Sequence, residues 1–272
     1  RKLMKANSEI SELISNPQGQ DGASLLDNAQ IMIFALNDET NQNDQNLQSM
    51  RELIPSTMDR LHELSNKSGG LIGSSTGYKD LDNKLQGLQN GDLIVVAGRP
   101  SMGKTSLAMN VAENVLLDSE SNGSVLIFSL EMPGESLTTR LLSGMTKLNQ
   151  QNVRSGMLKD DELRILFQQS EKLKNLPLWI DDSSILSPME LRAKARRLAR
   201  TEKDGLSLIV VDYLQLMQLP LSSENRVNQI SEISRSLKSL AKELNVPVIA
   251  LSQLNRAVEN RPNKRPIMAD LR

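Results

Sequence analysis

Asp92-Leu93-Ile94-Val95-Val96-Ala97 followed by Gly98-Arg99-Pro100-Ser101-Met102-Gly103-Lys104-Thr105 is the stretch that decides the fold. An apolar run that reads as a buried parallel strand passes into G-x-x-x-x-G-K-T and then into a helical pattern. Ala108, Val111, Ala112 and Val115 carry that pattern at helical spacing. Gly98 and Gly103 let the main chain curl so that consecutive N–H groups point inward at phosphate oxygens. Lys104 can then reach the β- and γ-phosphates, and the Thr105 hydroxyl can ligate Mg²⁺. Residues 98–105 are therefore expected to cradle a nucleoside triphosphate, with the positive end of the following helix aimed at it. The competing reading is a glycine-rich strand-to-helix turn with an incidental lysine, and the flanking strand and helix argue against it.

Outward from this stretch, apolar runs alternate with helical patterns. Strands are expected near 92–98, 124–130, 177–181, 206–212 and 246–252, and helices near 104–117, 134–147, 160–174, 187–202 and 226–244. Such alternation argues an α/β fold with a mainly parallel sheet covered by helices. Ser187-Pro188-Met189-Glu190 marks one helix start, with an N-cap serine, a proline at the first helical position and a glutamate completing the capping box. Upstream, Leu3, Ala6, Ile10, Leu13 and Ile14 share one helical face, and Leu25 to Leu36 is a second apolar helical run. Residues 37–49 are polar and Asn/Gln-rich and read as a flexible linker. A short helix is expected from Ser56 to Leu64, after Pro55, and residues 65–76 are loop-like. The domain boundary is placed near residue 70, giving a helical linker arm and hinge over 1–69 and a main domain over 70–272. The amphipathic arm, lacking a local core, reads as a hook for a neighbouring subunit rather than a strap on its own domain.

The bulk numbers exclude several chemistries. The chain has 272 residues, 38% of them hydrophobic and 24% charged, and no cysteine. Disulfides, zinc–thiolate sites and cysteine nucleophiles are thereby ruled out, which fits a reducing, cytoplasmic setting. The one histidine, His62, reads as a surface helix residue, so a Ser-His-Asp triad has nothing to be built from. No apolar run reaches the roughly 20 residues of a membrane span, and neither a signal peptide nor a bilayer partner is expected. A net charge of −1 and 2% aromatic residues argue against a chain-wide basic field or a base-stacking platform; a nucleic acid held here is held by its backbone.

Phosphoryl transfer needs a metal held by an acid, a group that orients the attacking water, and positive charge at the developing γ-phosphate. Leu208-Ile209-Val210-Val211-Asp212 is a buried strand ending in an acid, which places Asp212 beside Mg²⁺ at the carboxyl edge of the sheet. Tyr213 follows, so the adjacent Asp-Glu pair of many such enzymes is lacking and the base must come from elsewhere. Glu131, after the strand Val125–Leu130, is the candidate base, against a plain role in the first turn of a helix; Asp181 and Asp182 are rivals for it. Gln253, past another strand, is a candidate γ-phosphate sensor, and Arg140 and Arg99 are candidate charge donors. Arg192, Lys194, Arg196, Arg197 and Arg200 form a basic helix stripe, read as a solvated face or inter-subunit ion pairs before a phosphate-binding surface. Arg256, Arg261, Lys264, Arg265 and Arg272 form a second basic, proline-punctuated loop that could grip a chain threaded past the cleft.

The strings GYKDLD, GLQNGDLIVVAGRPSMGKTSLAMN, FSLEM, IVVDYLQLM, EISRSLKSLAKELNVPVIALSQLNR and KRP-x-x-x-DLR together resemble the RecA-like motor domain of the bacterial-type replicative DNA helicases, the DnaB family. The resemblance covers residues 70–272, and residues 1–65 resemble the family's linker helix and hinge, which in that family docks onto the adjacent subunit of a ring. It implies a RecA-like P-loop NTPase using ATP and Mg²⁺, with Lys104 and Thr105 at the phosphates and metal, Glu131 as base, Asp212 at the metal, Gln253 as sensor and Arg140 near the nucleotide. It also implies a hexameric ring, single-stranded DNA held near Arg272, Arg265 and Lys264, and primase and a helicase loader as further partners of a primosome. The family continues past Asp270-Leu271-Arg272 through strands carrying an arginine finger donated in trans, so this stretch alone is expected to bind nucleotide yet hydrolyse it poorly. The rival classes are a RecA-like recombinase or clock-type ATPase, separable by strand displacement on forked DNA, and a non-hydrolysing nucleotide-gated interaction module, which would tolerate Glu131→Gln.

Overall fold

The computed structural model describes residues 2–16, 25, 29, 49–66, 71–118, 122–218 and 226–271. The chain divides into two compact units, Arg1–Gly70 and Leu71–Arg272.

In the first unit, α1 spans Lys2–Ser15 and α2 spans Met50–Asn66. Ser8, Ser11 and Ser15 each donate to the carbonyl four residues back, while Met4 and Ile14 stand exposed. The helix expected to follow Pro55 begins earlier. Ser49 and Glu52 supply the reason: the Ser49 N–H donates to the Glu52 carboxylate at 3.1 Å, half of a capping box that starts the helix ahead of the proline. Pro55 then sits inside the helix and forfeits one bond, to the carbonyl of exposed Arg51. Met50, Ile54, Met58 and Leu61 recur along one stripe of α2 and are all more than half exposed; His62 is exposed beside them. Of the second apolar run, Leu25–Leu36, Leu25 and Ala29 are described, both helical and half-buried, and the rest of it, with the 37–49 linker except Ser49, lies outside the described residues.

The second unit is a five-stranded parallel sheet. Its strands are β1 Leu93–Gly98, β2 Ser124–Ser129, β3 Leu178–Asp181, β4 Leu206–Asp212 and β5 Val248–Gln253, in the order β1-β5-β4-β2-β3. The remaining helices are α3 Lys79–Leu85, α4 Lys104–Leu117, α5 Gly134–Thr146, α6 Gln150–Ser155, α7 Asp160–Lys174, α8 Pro188–Thr201 and α9 Arg226–Leu244.

Strand side chains alternate between faces, and two cores result. On one face Val125, Ile127, Leu208, Val210, Ile249 and Leu251 pack with Ala108, Val111, Ala112 and Val115 of α4 and Leu137 and Leu141 of α5. On the other, Leu126, Phe128, Ile209, Val211, Val248 and Ala250 meet Leu191 and Ala195 of α8 and Ile233, Leu237, Leu240 and Ala241 of α9. Each large apolar side chain so buried contributes about 1.5–3 kcal/mol. β2 and β4 are buried along most of their length because helices cover both faces, which is why they read as unbroken apolar runs. The predicted start of α8 is present: Ser187 Oγ accepts the Glu190 N–H, and Glu190 returns a bond to the Ser187 N–H at 2.7 Å.

The basic stripe on α8 is an internal brace. Arg192 and Arg196 both pair with Glu243 of α9, and Lys194 pairs with Asp181 at 2.5 Å. These three cations form ion pairs within the chain, and Arg197 and Arg200 are exposed. Among the described residues no helix is long and apolar enough to cross a membrane.

Candidate active site

All five strands run parallel, so their carboxyl ends share one edge, and the segments leaving β1, β2, β4 and β5 enclose a cleft of about 370 Å³. That size lies in the ~300–1,000 Å³ range of small-ligand sites.

The loop from β1 to α4 forms its floor. Ser101 (φ 62°) and Gly103 (φ 84°) are both left-handed, and these two reversals curl the chain. At Gly103 a side chain would meet nothing within 4 Å, so its backbone angle, not space, calls for glycine. At Gly98 the reason is close approach, since a Cβ there would stand 3.2 Å from Lys104 Cγ. The helix begins at Lys104 with Gly103 as a cap that offers no side chain. The first N–H groups of α4 are therefore left for an external acceptor. Lys104 Nζ donates to the Arg99 carbonyl at 3.2 Å, a neutral partner for a charged group that lines the cleft.

Thr105 and Asp212 meet across the floor, Thr105 Oγ1 donating to Asp212 Oδ2 at 2.7 Å. Asp212 ends β4 and is only 3% exposed. Burial pushes its carboxyl above the ordinary aspartate range; the Thr105 hydrogen bond and the charges of Lys104 and Arg140 oppose that shift without cancelling it. Glu131 lines the opposite wall. The Ser129 hydroxyl holds it there by turning the chain sharply, donating to the Met132 carbonyl at 2.7 Å and accepting the Met132 N–H. Ser129 pairs with Asp212 in the sheet, and the Leu130 N–H donates to the Asp212 carbonyl at 2.8 Å, so the glutamate is registered against the aspartate. Helix α5 starts only at Gly134, which leaves Glu131 outside its first turn. Arg140 reaches the cleft from α5, and its Nε is buried without a hydrogen-bond partner. Gln253 closes the cleft from the end of β5.

Of the residues named from the sequence, Pro100, Ser101, Gly103, Lys104, Thr105, Glu131, Arg140, Asp212 and Gln253 are brought together here. Others are not. Arg99 is turned away, its Nε 2.5 Å from Glu259 and its Nη1 on the Leu254 carbonyl at 2.9 Å. Met102 projects outward, 74% exposed, and Gly98 lies beneath Lys104. Asp181, held low by Lys194 and Ser183 despite the upward push of burial, and Asp182, which accepts the Gly134 N–H at 2.9 Å, are both engaged elsewhere.

Tyr213, Met132 and Ser106 also line the cleft, beyond the residues the sequence motifs point to. Burial, then Glu131 and Asp212, push the Tyr213 hydroxyl upward; adjacency to the strand-ending acid was the one signal for it. Lys264 and Arg265 lie exposed between the 3₁₀ turns Arg256–Asn260 and Met268–Leu271, while Arg261 pairs with buried Asp270. Arg272 lies outside the described residues.

Residues 73–272 match the family described as DnaB-like helicase C terminal domain. Over its whole length the chain is 45% identical to the replicative DNA helicase DnaB of Buchnera aphidicola subsp. Baizongia pistaciae and 46% identical to that of Pasteurella multocida, spanning 58% of each. Over 85% of its length it is 44% identical to the replicative DNA helicase DnaC of Bacillus subtilis, covering half of that protein. Among solved structures, a protein described as an ATPase domain superposes with a TM-score of 0.76 at 32% identity, over 84% of this chain and 78% of that one. A DnaB-like replicative helicase described with its interactions with primase superposes with a TM-score of 0.73 at 30% identity, over all of this chain and 62% of that one. A RecA-like ATPase sheet, the phosphate-loop geometry and this match over most of the chain agree: the protein belongs to the DnaB-like helicase C-terminal domain family.

Proposed function

We propose that the chain is the ATP-hydrolysing motor of a ring-shaped replicative helicase, which moves along single-stranded DNA and unwinds duplex at the fork in the cytoplasm. The observation that supports it most is the convergence on one cleft of a lysine hydrogen-bonded to a neutral carbonyl, a hydroxyl–carboxylate pair, a second carboxylate and a buried arginine nitrogen without a hydrogen-bond partner among the described residues. That donor set fits MgATP. Curled main-chain N–H groups, Lys104 and Arg140 take the phosphates, and the Thr105–Asp212 pair takes one cation. Among the described residues no group of three or more acidic or histidine side chains is placed to hold a metal ion, so a metal here would draw its remaining ligands from phosphate and water, as Mg²⁺ does.

When bound, MgATP supplies the transferable γ-phosphoryl group and the charge neutralisation its transfer needs. The chain's own groups do the rest. Glu131 accepts a proton from, and orients, a water at the open wall of the cleft. Lys104 and Arg140 hold positive charge where negative charge develops. Gln253, at the end of β5, hydrogen-bonds the terminal phosphate and passes its presence to the loop 254–271. Lys264 and Arg265, exposed on that loop, together with Arg272, contact the DNA backbone, which suits a chain too poor in aromatics to stack bases. The exposed apolar stripe of α2, with Met4 and Ile14 exposed on α1, serves as the hook onto the next subunit of a hexamer. Primase and a loader are the further partners proposed for the ring.

Forked-DNA unwinding and ATP hydrolysis by the assembled ring test this reading with Glu131→Gln and Lys104→Ala. Glutamine should retain ATP binding and stop both turnover and unwinding, whereas alanine should remove binding itself. Unwinding that survives either change would refute the proposal.

A further inference from the structure

Past the pair Val211↔Ala250 the ladder between β4 and β5 stops, yet Gln253, three residues on, must stand in a fixed place to line the cleft. On its β1 side the strand remains paired to the end. Gly98 lies opposite Gln253, and the Leu254 N–H donates to the Gly98 carbonyl at 3.2 Å. On its β4 side a side chain takes over. Gln215, in the 3₁₀ turn Leu214–Leu216, donates from Nε2 to Ser252 Oγ at 2.9 Å and to the Gln253 carbonyl at 3.1 Å. Its Oε1 accepts the Gln253 N–H at 3.2 Å. One carboxamide therefore offers both donor and acceptor to a single residue's main chain, as a neighbouring strand would.

We infer that Gln215 is a positioning residue: it fixes the main chain of Gln253, and hence the reach of that side chain to a terminal phosphate, relative to Asp212 three residues before it. This rests on the nucleotide reading proposed above. Gln215 does not itself line the cleft, so its effect must run through Gln253. A side-chain contact to phosphate tolerates errors of only about half an ångström, and a strand end paired on one side alone frays by more. Gln215 also sits two residues after Tyr213, which does line the cleft, and so ties the acid side of the site to the sensing side.

The test measures magnesium-dependent affinity of the whole chain for labelled ADP and for a non-hydrolysable ATP analogue. Gln215→Met fills a similar volume and removes the three bonds to Ser252 and Gln253. It should lower the preference for triphosphate over diphosphate by about tenfold, the effect of one charge-assisted hydrogen bond, and leave ADP affinity and melting temperature as they were. Gln253→Ala should do the same, and the double variant should be no worse than Gln253→Ala alone, because both act on one contact. An unchanged preference, equal losses for ADP and the triphosphate, or additive losses in the double variant would each overturn the inference. Should the methionine variant fail to fold, Gln215→Glu, which keeps the acceptor and loses both donated bonds, is judged by the same outcomes. Failure of the wild-type chain to bind either nucleotide, or retention of ATP by Lys104→Ala, would instead overturn the nucleotide reading, and this inference with it.

Discussion

Replacing Thr105 by valine removes one oxygen from the candidate metal site and little else. Valine keeps the β-branched shape and a similar helix propensity, so α4 should still begin at Lys104. Lost is the donor 2.7 Å from Asp212 Oδ2, and with it one of the two protein oxygens placed to share a cation. A hydrogen bond or contact to a charged group is worth about 1.5–3 kcal/mol, so magnesium-dependent ATP affinity should fall by roughly 10- to 150-fold. Binding in EDTA, which relies on Lys104 and main-chain N–H groups, should change little, and Thr105→Ser, which keeps the hydroxyl, should recover most of the loss. The pH dependence gives a second readout. Burial already raises the Asp212 carboxyl, and the Thr105 hydrogen bond is the first force opposing that rise; valine should push it higher. Magnesium needs the carboxylate, so its contribution is lost as pH falls through the folded-state pKa, and in the valine variant that loss should begin at a higher pH. The apoprotein behaves oppositely. A folded pKa above the unfolded one means protons are taken up on folding, so this group's contribution to stability declines as pH rises between the two. Titration of labelled ATP with and without magnesium across the acid range decides the matter. A valine variant with wild-type magnesium dependence, or one whose loss begins at a lower pH, would refute the assignment of Thr105 and Asp212.

Two glycines of the phosphate loop should respond differently to alanine. Gly103→Ala meets no atom within 4 Å but imposes a φ of 84°, so denaturant unfolding should show a cost of about 1–2 kcal/mol. Gly98→Ala brings a methyl 3.2 Å from Lys104 Cγ, and because that stem can shift, ATP affinity should suffer more than stability. Glu243 receives Arg192 and Arg196 at 28% side-chain exposure, so Glu243→Gln should destabilise by about 1–3 kcal/mol. Burial opposes ionisation of Glu243 but the two arginines hold it below the ordinary glutamate range, so its stabilisation is present above the unfolded pKa and disappears as acid lowers pH through the folded one. In the Arg99–Glu259 pair the glutamate is half exposed, so Glu259→Gln, measured the same way, should destabilise less than Glu243→Gln.

These contrasts also mark what could be read from the sequence. The five strands were legible because buried parallel strands are unbroken apolar runs, and α8 was legible because its capping box is local. Pro55 does not begin helix α2, because Ser49 and Glu52, an equally local capping pair, start it ahead of the proline. Asp212, Thr105 and Glu131 were legible as types at strand ends and in a loop of fixed spacing. The fate of the arginines was not: Arg99 and Glu259 are 160 residues apart, and Arg192 and Glu243 are 51 apart. Local periodicity carries no information about such partners; only the strand order, itself set by long-range pairing, brings them together.

Strand order and register together turn separate motifs into a site. β1 lies beside β5, with Gly98 opposite Gln253, so the start of the phosphate loop and the candidate sensor are neighbours by hydrogen-bond pairing and not by loop conformation. β2 lies beside β4, with Ser129 opposite Asp212, so the turn that carries Glu131 is set by the residue proposed to hold the metal. Each pair sits at the last rung of its ladder, where a parallel sheet delivers every carboxyl end to one edge. A slip of one residue in β5 would exchange its buried faces, turning Ile249 and Leu251 away from α4 and Val248 and Ala250 away from α9. The two apolar cores forbid that slip. The hydrophobic alternation that stabilises the sheet is thus also what places the catalytic candidates, and a core substitution that loosened β5 should disturb nucleotide discrimination before it unfolded the domain.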